Sequence, residues 1–150
     1  MPQIFRNVAS VALTLSLAIW VGALAGFAFL YAPATFHAMG PTTAFAALIA
    51  SLIEELSFLG HACAIVAIAA ALVLALRPAA RARSLTIAAI VLVMGLLVLV
   101  QVSWVLPQMR ATVLQTPAYA SLHRRSSMVY GSVLLLGVIG VALSALRRDP

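Results

Sequence analysis

Seven side chains in this sequence are candidates to hold a ligand or pass a proton, Glu54, Glu55, His61, Gln101, His123, Arg124 and Arg125, while His37 is read as an interfacial loop residue. Histidine titrates near neutral pH and is the commonest metal ligand. His61 and His123 together form the pair that would ligate a haem b, whose iron needs two imidazole nitrogens roughly 4 Å apart. Glu54 and Glu55 offer hard oxygen donors for a cation. Adjacent helical positions diverge by about 100°, however, so the two carboxylates cannot chelate one ion unaided, and Glu54 lies about 10 Å along the axis from His61. Ion pairing of Glu54 or Glu55 with Arg124 or Arg125 is the expected use of these charges. An imidazole in hydrocarbon must satisfy its ring nitrogens, so His61 is expected to face the interior and bond to Gln101 or Ser103, or to face His123 across an outward-open pocket. Met39, Met94, Met109 and Met128 show no Met-x-x-Met copper spacing, and the sequence carries no nucleophile elbow, phosphate loop or histidine pair at metal spacing.

What must position these groups is a membrane. The 150 residues are 65% hydrophobic and 8% charged, with a mean hydropathy of +1.16. That leaves too little polar surface to cover a water-soluble globule. Residues 16–36, SLAIWVGALAGFAFLYAPATF, carry no charge. About 20 residues at 1.5 Å each cross a hydrocarbon layer of roughly 30 Å, so this stretch spans it. Gly22 and Gly26 have the small-xxx-small spacing that lets a second helix approach, and they predict a packing seam. The net charge of +6 does not point to nucleic acid, because the basic residues separate apolar runs instead of forming a patch with aromatics between them. The single cysteine, Cys63, excludes an internal disulfide and fits a small buried apolar role.

The expected elements are all α-helical: an integral membrane four-helix bundle in one domain, residues 1–150. Helix one is expected over about residues 8–32, ending before Pro33, and it is read as uncleaved rather than as a signal peptide. Gly40 and Pro41 break the chain, a short interfacial helix follows at about 43–53, and helix two takes about 56–76. Helix three is expected over about 84–105, closed by Pro107. Thr116 followed by Pro117 predicts the cap and first turn of helix four, about 117–146. No sequence repeat is strong enough to claim an internal duplication.

Arginine counts set the expected topology. Arg6, Arg77, Arg81, Arg83, Arg147 and Arg148 fall on one side and Arg110, Arg124 and Arg125 on the other. Both termini are therefore expected in the cytoplasm, in a bacterial-type inner membrane. The seven candidate side chains then share the outer half, and a chain of ionisable groups across the bilayer, as a proton pump would need, is absent from the sequence.

Trp20-Val21-Gly22, the following Pro33 and Phe36, Pro107, and the run Leu122-His123-Arg124-Arg125-Ser126-Ser127 together resemble the transmembrane protein 205-like domain, a domain of unknown function. The resemblance covers nearly the whole chain and implies a four-helix membrane protein with no settled activity. More distantly, the tryptophan-glycine helix ending in Tyr-x-Pro-x-x-Phe is similar to copper-resistance D domains and haem-binding protoporphyrinogen oxidases. The haem-ligating histidine that the latter carry early in their first helix has no counterpart before Trp20. Two function classes follow. One is a bundle without a cofactor that binds or passes a small lipophilic or metal-related solute, or acts as an accessory subunit beside other membrane proteins or further copies of itself. The other is a haem b redox protein using His61 and His123.

Overall fold

The computed structural model describes residues 2–146. These form four long helices, α1 (Gln3–Met39), α2 (Thr43–Ala75), α3 (Pro78–Ala111) and α4 (Pro117–Ala145). Each packs on its sequence neighbours, and α1 closes the ring against α4. All four are long and apolar enough to cross a membrane. Phe29, Leu30, Phe58, Ile65, Trp104 and Leu135 stand exposed on the outside of the ring, which a lipid solvent accepts and water does not. The protein is a multi-pass, all-α membrane bundle. Its basal end carries Gln3, the α2–α3 turn and Ala145, and its tip end carries the α1–α2 and α3–α4 connections.

Bulky residues on two helices meet small ones on the others. Leu13, Leu17, Trp20 and Leu24 recur every three or four positions on α1, and Ile87, Val91, Met94 and Val98 do so on α3; all are buried. Opposite them, α2 buries Gly60, Ala64, Ala67 and Ala71, and α4 buries Gly137 and Gly140. A small residue every three or four positions lets helix backbones approach where lipid supplies no hydrophobic drive. The indole of Trp20 lies over Gly60, where a Cβ would sit 2.5 Å from Nε1. The side chains of Val21 and Met94 occupy the space beside Gly137.

This corrects the expected seam at Gly22 and Gly26. Nothing lies within 4 Å of a Cβ built at either position. At about 100° per residue, Gly22 points about 200° away from Trp20, and Gly26 the same from Leu24. The core face of α1 is the bulky stripe.

The prolines do not end their helices. Phe27–Tyr31 and Gln101–Val105 are π-helical segments, and Pro33 and Pro107 follow in the next turn. A proline lacks the N–H for the residue four back and crowds that carbonyl, here Phe29 and Ser103. Both lie within the π segments, and the wider turn accommodates the rings while the helix continues to Met39 and Ala111. The separate interfacial helix at 43–53 is likewise absent: α2 runs unbroken from Thr43. Thr42 caps it by accepting from the Phe45 amide, and Ala50 and Ile53 pack on Leu106 of α3, so the first turns are held to the bundle. The predicted cap at Thr116 is present, accepting from the Tyr119 amide at 3.2 Å. Arg147 and Arg148 lie outside the described residues.

The two hairpins repeat one design. The π segments, Pro33 and Pro107, and the caps Thr42 and Thr116 are each 74 residues apart. The buried stripes correspond at the same offset: Leu13 with Ile87, Leu17 with Val91, Trp20 with Met94, and Leu24 with Val98. Each tip also turns through a residue of positive φ, Gly40 at 64° and Gln115 at 63°. The duplication escapes the sequence because the paired side chains are different apolar types that fill equivalent places.

Candidate functional site

The tip half of the bundle contains a layer of buried polar groups. Gln101 is fully buried at the first position of the π segment of α3, and its Nε2 donates to Ser126 Oγ on α4 at 2.7 Å. Its Oε1 is buried without a partner among the described residues. One turn deeper on α4, Tyr130 reaches diagonally across the ring to Ser57 of α2, at 3.2 Å. The Ser57 hydroxyl proton goes to the Ile53 carbonyl at 2.6 Å, so the Tyr130 hydroxyl donates to Ser57 Oγ. Trp20 Nε1, packed on Gly60, is a buried donor that also lacks a partner among the described residues. Inside a bilayer, such bonds tie helices together because the alternative is a polar group in hydrocarbon.

His61 takes a different partner from the expected one. Its Nδ1 lies 2.7 Å from the Ser57 carbonyl of its own helix, to which the protonated nitrogen donates, and the ring is half-buried. Ser103 is exposed and donates to the Leu99 carbonyl, so it is also spent within its own helix. His123 is exposed and stacked on Tyr119, with ring centroids 6.4 Å apart. Ser57 and Tyr130 mark one level of the bundle. His61 is four residues from it toward the base and His123 seven residues toward the tip, which separates them by about 16 Å along the axis. The two histidines therefore do not fit the axial positions of one haem.

The acidic pair is also differently used. Glu54 Oε1 accepts from Arg110 Nη1 at 2.7 Å, joining α2 to the tip of α3, with both side chains about half exposed. Glu55, Arg124 and Arg125 are exposed and form no ion pair among the described residues. The expected partners Arg124 and Arg125 lie on α4, whereas Arg110 reaches Glu54 because α3 continues past Pro107. Among the described residues, no three His, Cys, Asp or Glu side chains come together as a metal site would need.

Sequence reasoning missed Ser57, Ser126, Tyr130 and Arg110. Ser126 and Tyr130 are four apart, one face of a helix, and that spacing was the available signal for two polar groups pointing into the core. A family model described as a domain of unknown function (DUF4149) matches residues 15–118. No curated protein and no solved structure matches the chain.

Proposed function

The chain belongs to the DUF4149 family, a domain of unknown function, and from that premise we propose that it is a non-catalytic accessory subunit, docking a partner membrane protein at its tip end. The observation that carries this reading is the filled core. Leu13, Leu17, Trp20, Val91, Met94, Val98 and Val133 are at most 1% exposed along the bundle's axis. A bundle closed in this way favours work at its surfaces over passage of a solute through its middle.

At the tip, Arg124 and Arg125 are exposed without ion pairs among the described residues, immediately before Ser126 of the polar layer. Two neighbouring cations suit an acidic extramembrane segment of the partner, since opposite charges steer and orient association. The arginine bias of the basal end supports a cytoplasmic base and an external tip in a bacterial-type inner membrane. The resemblance to the transmembrane protein 205-like domain agrees with a four-helix build of this kind.

Photo-crosslinking in native membranes tests the proposal. A benzoyl-phenylalanine at Ser121, which is exposed one turn from Arg125, should yield one discrete protein adduct, and adding R124E and R125E should abolish it. A protein without adducts, or an adduct indifferent to the charge reversal, would overturn the docking role.

A further inference from the structure

At the basal end, Arg6 of α1, Arg77 of the α2–α3 turn and Arg83 of α3 line one small hollow of about 70 Å³, together with Gln3 and Asn7. Two of these arginines are half-buried. Arg6 Nε is fully buried and has no hydrogen-bond partner among the described residues. Arg83 spends one N–H on the Leu146 carbonyl at 3.1 Å, leaving other guanidinium donors for a ligand. The hollow also borders the start of α3, where Arg77 is the N-cap and no side chain caps the amides. A helix start adds partial positive charge. The acidic residues among those described, Glu54 and Glu55, sit at the opposite end of the bundle. Three guanidinium groups around one space, with no carboxylate beside them among the described residues, favour an oxyanion of phosphate type, which accepts from several forks at once.

A second feature names the carrier of that phosphate. Asn7 also borders a shallow, open apolar groove on the outer face of α1, formed by Val8, Val11, Ala12 and Leu15. These positions follow the spacing of one helix face, and Val8, Val11 and Leu15 are more than half exposed. A charged hollow that adjoins a shallow apolar groove at Asn7 matches a molecule with an anionic head and a hydrocarbon tail. We propose that this is a binding site for one anionic phospholipid, with its phosphate held by Arg6, Arg77 and Arg83 and an acyl chain laid along Val8 to Leu15. Basic pockets between membrane helices bind lipid headgroups by this electrostatics.

Native mass spectrometry of the purified full chain tests it, with phosphatidylglycerol, phosphatidylcholine or inorganic phosphate added in turn. One phosphatidylglycerol should be retained in preference to phosphatidylcholine. Each of R6Q, R77Q and R83Q should weaken retention roughly fivefold, the effect of about one interfacial charge. R124Q, at the far end, should leave it unchanged. R77Q is the decisive variant should R6Q or R83Q misfold, because the Arg77 side chain is exposed and holds no partner among the described residues. V11D, which places a charge in the groove, should weaken phosphatidylglycerol but not inorganic phosphate. Equal retention of both lipids, an R77Q variant that binds as the parent does, or inorganic phosphate bound as tightly as the lipid would each overturn the proposal. So would retention of phosphatidylglycerol by D149N alone, since the chain's own carboxylate would then be the occupant.

Discussion

Single residues in this bundle are set by the absence of water. Gly60 is a glycine because the Trp20 indole lies where a Cβ would be, and Gly137 because the stiff, β-branched Val21 does. Gly22 and Gly26 face open space instead. G60A and G137A are therefore expected to destabilise by about 1–3 kcal/mol, the cost of overpacking a filled core, whereas G22A and G26A should be neutral or slightly stabilising through helix propensity. Thermal unfolding of the four variants in one detergent separates the sets, and a loss at Gly22 as large as that at Gly60 would point to a helix contact outside the single chain. The Glu54–Arg110 pair belongs to another class. Half-exposed, it contributes at most about 1 kcal/mol, so its main effect is to fix where α2 and α3 meet.

At the scale of elements, the two π segments are the devices that matter. Each widens one turn just before a proline, which keeps its helix running where a proline would otherwise end it. Without the α3 device, α3 would stop before Arg110, and Glu54 would lose its partner. P107A should let the segment return to α-helical pitch, rotating the tip of α3 by roughly 100° and carrying position 110 away from position 54. An E54C/R110C variant treated with a short thiol crosslinker reports this. Crosslinking should fall sharply when P107A is added, and an unchanged yield would mean that packing of Gln101 and Val105, rather than the proline, holds the wide turn.

For the whole molecule, the two ends differ in charge. Among the described residues, the basal hollow gathers arginines around a space that lacks a carboxylate, and the tip combines one ion pair with two arginines on α4 that form none. The proposed orientation rests on this asymmetry. A topology reporter inserted at Arg81 should read as cytoplasmic and one after Val113 as external, because arginine excess holds the base on the cytoplasmic side. The reverse result would put the arginine-lined hollow on the external face.

Composition and apolar run length were enough to establish a multi-pass helical bundle, since four long apolar stretches have no other way to satisfy their backbone polar groups. The Thr116 cap and the burial of Cys63 were legible for a similar reason: both depend on local chemistry. Which face of each helix turns inward was not legible, because nearly every position is apolar and the amphipathic signal that marks a core in water is missing. For that reason the sequence points to a seam at Gly22 and Gly26, whereas packing puts it at Trp20 and Gly60. The partners of His61, Glu54 and Gln101 were hidden for the same reason. They depend on helix rotation and on two turns that stay helical through proline, and only the packing of all four helices decides those.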